Sequence, residues 1–295
     1  MTGEALAVLA ALAYGLAGVS ITRSQPVARG DNGVFLSILM TSILSGAIWL
    51  GSGTVPLPQA LSADARPALL IFVLAGLCAN AVGRQSMYRA TERIGAVATG
   101  LLRRLTPVFA LPLAFVVLDQ EVDLTAISGA AMVIAGALIY GRRPSCPTGP
   151  LPLAGLVLGL LSPLAYAMAY CLRGLGLAVL PDPALGTCVG ALAGAAWVLL
   201  LSMRRRGCSA GWRFVTVDRT SRHWQTALSL SAGQMLQFFA LNSANVATVA
   251  VLGTLEVVFA GLIILLVTKS ETIDLKRLLI TSTLAAAGTA LLVAT

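Results

Sequence analysis

The sequence predicts an all-α membrane protein, with ten transmembrane helices arranged as two inverted five-helix repeats. Composition is the first observation: 57% of the 295 residues are hydrophobic and only 11% are charged, against roughly a quarter charged in soluble domains. At ~20 residues per span plus short connections, the chain has room for about ten helices. Patterning is the second: ten apolar runs are separated by proline- and glycine-rich turn signals. The third is an internal repeat, in which one unusual stretch recurs about 150 residues later.

The runs fall at 5–22, 33–50, 67–88, 95–118, 123–141, 151–172, 183–203, 223–242, 246–268 and 274–294. The first carries Glu4 where a signal peptide would carry basic residues, so it reads as a retained helix. The second has a small polar stripe, Ser37, Thr41 and Ser45. The third ends in NAVGRQSMYRA, and the fourth holds Arg103, Arg104 and Pro107 near its centre. The sixth and seventh contain the G-x-x-x-G spacings Gly155/Gly159 and Gly190/Gly194, read as packing seams between helices. Residues 204–224 form the one sizeable polar stretch. The eighth run is rich in amides and the ninth contains Glu256.

The repeat pairs GAVATGLLRRLTPVFALPLAFVVLDQE, from Gly95, with NVATVAVLGTLEVVFAGLIILLVTKSE, from Asn245. Phe109 aligns with Phe259, Glu121 with Glu271, and Glu256 stands where the first copy has Thr106. LAYG at Leu12–Gly15 is echoed by LAYA at Leu164–Ala167. Residues 1–143 and 150–295 are therefore read as two units of five spans each. An odd number of spans makes the second unit enter the bilayer from the opposite side. Inverted repeats with a midplane site at their interface are an architecture of secondary transporters.

Odd-numbered connections, with Lys276 and Arg277 at the start of the tenth run counted with the ninth, hold fifteen Lys and Arg, and even-numbered connections hold two, Arg66 and Arg173. Positive residues favour the cytoplasm, so this bias places both termini outside a cell (inner) membrane. Because the charge sits at the ends of apolar runs, the net +8 marks orientation and gives no reason to expect nucleic acid. The five cysteines show no paired C-x-x-C spacing, so neither a disulfide framework nor a metal site is expected.

YRATERIGAVATGLLRRLTPVFALPLAFVVLDQE, followed by ISGAAMVIAGALIYG, resembles the EamA-type repeat of the drug/metabolite transporter superfamily. TLEVVFAGLIILLVTKSE is similar to its second copy, usually Leu-Glu-Pro-Val, with Val257 in place of the proline. The resemblance implies ten helices, movement of small metabolites (often export of amino acids or related compounds) and no nucleotide hydrolysis. It also implies cytoplasmic termini, against the charge count. The missing proline argues against a kink at Val257, and the two arginines stand where family members carry apolar or small residues.

Arg103 and Arg104 are the first candidates for substrate contact. At ~12 Å from Gly95 along a helix, Arg103 reaches the middle of a core ~30 Å thick, where a charge costs about 2.5–3.5 kcal/mol. A guanidinium suits a carboxylate or phosphate; the alternatives are neutralising Glu256 or capping a carbonyl freed by Pro107. Glu256, the one acid well inside a span, has three readings: holding a cationic group of the solute, carrying a coupling proton, or pairing with an arginine. Arg84 and Tyr88, four residues apart, line the interior or reach towards the interface. Gln234 and Phe238 share a face of the eighth helix, where an amide beside a ring suits a polar solute and equally an interhelical hydrogen bond. Tyr14 and Tyr166 are repeat-related and read as structural, as are Glu121 and Glu271 at helix starts. His223 reads as an interfacial anchor.

G-x-x-x-x-G-K-[ST], H-E-x-x-H and G-x-S-x-G are all missing, so neither an ATP-driven pump, an intramembrane protease nor another enzyme is expected. The sequence thus points to a cofactor-free secondary transporter, an exporter of small polar metabolites such as amino acids, driven by an ion or substrate gradient. Its partners would be the solute and the lipid bilayer, and a homodimer is compatible with it. The alternative is a non-transporting membrane sensor or assembly protein.

Overall fold

A computed structural model describes residues 2–23, 30–103, 105–119, 124–141, 152–217 and 220–264, with scattered positions from 266 to 291. Among the described residues every regular element is helical. The chain runs α1 (Gly3–Arg23), α2 (Val34–Ser52), the single turn α3 (Leu57–Ala60), α4 (Arg66–Gly76), a π segment (Leu77–Arg84) and α5 (Gln85–Arg103). It continues with α6 (Thr106–Leu118), α7 (Leu124–Gly141), α8 (Leu153–Val179), α9 (Pro183–Arg206), α10 (Cys208–Thr216) and α11 (Ser221–Leu241). Last come α12 (Val246–Leu252), a 3-10 turn (Gly253–Leu255) and α13 (Glu256–Ile263).

Six described stretches are long and apolar enough to cross a bilayer: Gly3–Ile21, Val34–Ser52, Arg66–Ala90, Leu153–Val179, Pro183–Arg206 and Val246–Ile263. α6 and Ile127–Gly136 of α7 are apolar but shorter. α11 has the length, but Ser229, Ser231, Gln234 and Gln237 lower its hydropathy, and all four are buried. Its polar residues face the protein interior rather than lipid.

The third and fourth runs are not separated by a turn. YRATERIGA contains no proline, and helix continues from Arg66 to Arg103 through the π segment and past Gly95. Its partners along α8 nevertheless double back: Phe72 lies on Gly176, Tyr166 on Gly83, Ile94 on Gly155, then Leu102 on Gly159. α5 ends instead at Arg103 and α6 begins at Thr106, just before Pro107. A proline ring clashes with the carbonyl four residues earlier, here that of Arg103, and the Thr106 hydroxyl donates to that carbonyl at 2.6 Å. Arg103 therefore ends a helix rather than occupying the middle of one.

The second copy is interrupted too, although Val257 replaces proline. Gly253 has poor helix propensity, and the Thr254 hydroxyl donates to the Val251 carbonyl at 2.7 Å. These local effects accompany the 3-10 turn at Gly253–Leu255, whereas Val257 itself lies within α13. α13 then packs directly on α1. A Cβ on Gly15 would stand 2.7 Å from the Glu256 carbonyl oxygen and 3.0 Å from the Ala260 nitrogen.

Glycines also set the crossing of α4 and α9, where Gly76 meets the Gly190 backbone and Gly194 receives the Asn80 side chain. Because a side chain at 76 has only main chain to displace, Gly76→Val is expected to abolish the monodisperse peak in size-exclusion chromatography. Ser37 and Thr41 pack on α11, the Thr41 hydroxyl donating to Ser231 at 3.0 Å.

Arg173 does not lie in a connection. α8 runs on to Val179, and Arg173 is buried inside it; a charge-based end to the apolar run at 172 placed it wrongly. Within the polar stretch, α10 folds against α9, with the Ser202 hydroxyl donating to the Gly211 carbonyl at 3.0 Å and Arg206 over the Phe214 ring at 3.8 Å. His223 is a helix cap rather than an exposed anchor: it is buried, and its Nδ1 lies 2.6 Å from the Thr220 hydroxyl in a capping box.

Candidate functional site

α11 is the spine of the polar interior. Gln234, Gln237 and Phe238, at spacings of three and four residues, share one face of the helix and all are buried. Gln234 and Gln237 are separated by a rise of ~4.5 Å, and each amide holds a different arginine.

The first arginine is Arg84, at the end of the π segment and 2% exposed. Its guanidinium donates to Gln234 Oε1 and, at 2.9 Å, to the Ser37 hydroxyl. Tyr88, four residues on, is buried beside it. The second is Arg173, 1% exposed, which donates to Gln237 Oε1 at 3.2 Å and lies over the Phe238 ring at 4.8 Å. Gln237 also accepts from the Tyr14 hydroxyl at 3.2 Å and donates to the Tyr170 hydroxyl at 2.6 Å. Both arginines thus sit among amides, hydroxyls and rings, and the Nε of each makes no hydrogen bond. Phe238 in turn meets Phe72 edge to face, centroids 5.7 Å apart at 65°.

Burying an ion costs several kcal/mol even after relaxation. A desolvated cation–π contact returns about 2 kcal/mol, which covers only part of that cost. The free protein therefore carries a strained positive centre.

A different arrangement joins the two helix breaks. Arg103 Nη1 and Glu256 Oε1 are 3.4 Å apart, with side chains 20% and 15% exposed, and Arg103 lies over Tyr166 at 5.7 Å. Of the readings open for Glu256, the geometry puts it against an arginine. Arg104 lies outside the described residues, as do Glu121 and Glu271.

At the end of the bundle where α9 finishes, a cavity of about 210 Å³ is lined by Asp31, Tyr88, Arg89, Arg205 and Arg206 among others. Its wall at Tyr88 stands four residues from Arg84. Arg84, Tyr88, Gln234 and Phe238 are therefore brought into one interior network, while Arg103 and Glu256 pair beside it. Sequence reasoning left Arg173 and Tyr170 out of the site, while Gln237 was noted beside Gln234 as an amide on the same helix face. The signal for Arg173 was available: LRGLGLAVL stays apolar on both sides of the arginine, as only a buried charge would allow.

Residues 1–142 match the family model described as the EamA-like transporter family. Over these residues, just under half of the chain, the sequence is similar to that family. Together with the apolar helices, the match supports a multi-pass membrane protein of transporter type. Twenty-seven solved chains are similar in structure. One, described only as "Crystal structure of protein", superposes over 98% of this chain and 94% of its own with a TM-score of 0.73. At 15% identity it speaks for the fold alone. No curated protein matches the chain.

Proposed function

We propose that this EamA-like protein is a secondary transporter, an exporter of small polar metabolites such as amino acids, with its site between the two halves of the chain. The supporting observation is the interior network itself, in which residues from α1, α2, the π segment, α8 and α11 converge on two buried guanidinium groups. Arg84 and Arg173 hold the acidic group of the solute, in the role first assigned to Arg103 and Arg104. Tyr14, Tyr170 and Phe238 surround its body. Glu256 exchanges Arg103 for a proton or a cationic group during the cycle, which couples the two helix breaks to transport.

Equivalent contacts about 150 residues apart support the inverted repeat: Tyr166 rests on Gly83 and Tyr14 on Gly233. With Arg173 inside α8, the even-numbered connections keep only Arg66, so the charge bias towards outward-facing termini grows stronger. A periplasmic reporter fused after Thr295 is expected to be active; activity of a cytoplasmic reporter there would reverse the orientation.

Transport is tested with purified protein in liposomes loaded with a panel of labelled amino acids, organic acids and amines. At least one solute is expected to leave faster than from empty liposomes, with efflux lost in Glu256→Gln. Failure of every solute would defeat the transporter reading, and unchanged efflux in the variant would remove Glu256 from the mechanism.

A further inference from the structure

The interior charge balance identifies a class of solute. Among the described residues the core network holds three guanidinium groups, Arg84, Arg103 and Arg173, and one carboxylate, Glu256. Glu256 already faces Arg103 at 3.4 Å. Two positive charges remain, both at most 2% exposed, both with an unused Nε donor. Neutral amides and hydroxyls satisfy some of their N–H groups without neutralising either charge.

The same sign extends outward. Arg89 and Arg205 line the cavity at the end of α9, Tyr88 forms its inner wall, and Arg84 lies behind that wall. Arg206 lies over Phe214, Arg89 donates to Gln85 Oε1 at 3.4 Å and Asp31 accepts backbone N–H groups at 2.7 and 3.2 Å, so the described lining carries three arginines against one carboxylate. A low-dielectric cavity with an excess of one sign of charge concentrates the opposite sign.

We propose that the solute carries net negative charge, and that it passes from an outer subsite at Arg89 and Arg205, past Tyr88, to Arg84 and then Arg173. The group recognised is a carboxylate, phosphonate or phosphate, which a guanidinium fork binds through paired donors. Gln234 and Gln237 hold the two inner arginines one helical turn apart. This narrows the amino-acid reading to solutes with an additional acidic group: a neutral zwitterion lacks the excess charge this centre needs, and its ammonium finds Glu256 already paired with Arg103. This inference rests on the transporter reading for its direction of travel, whereas its binding claim stands apart from flux.

Four probes sharing one ring and differing in charge test it: phenylphosphonate, benzoate, phenylalanine and benzylamine. Thermal unfolding of the detergent-solubilised protein reports binding whether or not a probe is carried. Phenylphosphonate and benzoate are expected to raise the melting temperature at millimolar concentration, phenylphosphonate more, with no rise from benzylamine. Arg84→Gln/Arg173→Gln is expected to abolish the shift, whereas Arg89→Gln/Arg205→Gln weakens it several-fold at low salt and little at high salt. Equal or larger stabilisation by phenylalanine or benzylamine overturns the proposal. So does a benzoate shift that survives loss of both inner arginines, or no shift from any probe. If those inner variants fail to fold, Arg84→Lys/Arg173→Lys replaces them; anion stabilisation at least tenfold weaker sustains the proposal and wild-type stabilisation overturns it.

Discussion

Arg173→Met is expected to make the protein more stable and to stop it handling its solute. The guanidinium is buried among neutral groups, and a methionine of similar length fills the space without a charge to desolvate. Replacing buried charges by apolar residues is often worth about 1–4 kcal/mol, and among the described residues this charge has no acid opposite it. The substitution leaves little behind, because Gln237 Oε1 still accepts from Tyr14 and Gln237 Nε2 still donates to Tyr170. Thermal or chemical unfolding in micelles, run beside liposome efflux, reads both effects. A destabilised variant that still transports would make Arg173 a structural residue.

Arg103 and Glu256 are expected to behave in the opposite way. Removing one partner strands the other, so Arg103→Met and Glu256→Gln should each lower stability by about 1–3 kcal/mol. The double variant should recover most of that loss, giving a coupling of about 0.5–3 kcal/mol in a double-mutant cycle. If Glu256 exchanges partners during transport, stability returns in the double variant and efflux does not. Recovery of efflux together with stability would confine the pair to holding the two breaks together.

Helices were legible wherever a long apolar run met a strong punctuator. Pro181-Asp182-Pro183 is an example: Asp182 caps α9, accepting from the Leu185 backbone at 2.9 Å and from that of Val55 at 3.0 Å. The paired stretches around Arg103 and Glu256 could be aligned by eye, and the fold brings those two residues together. The path between the third and fourth runs was not legible, because it depends on how α5 meets α8, which no local signal in YRATERIGA encodes. Arg173 was missed although its apolar flanks were visible, because a charge next to glycines was read as the end of a span. Gln237 was visible as an amide, but its role arises from Tyr14, Tyr170 and Arg173, which converge from helices far apart in sequence.

Phe238 has one face under the Arg173 guanidinium and an edge against Phe72. Those two rings fill the core beside Gly186, and Phe72 also lies on Gly176, near the α8–α9 turn. That turn lies at the opposite end of the bundle from the basic cavity. A solute that claims the guanidinium competes with the ring for it. Phe238 thus ties the charge of the polar interior to the aromatic packing near the α8–α9 turn through a single side chain.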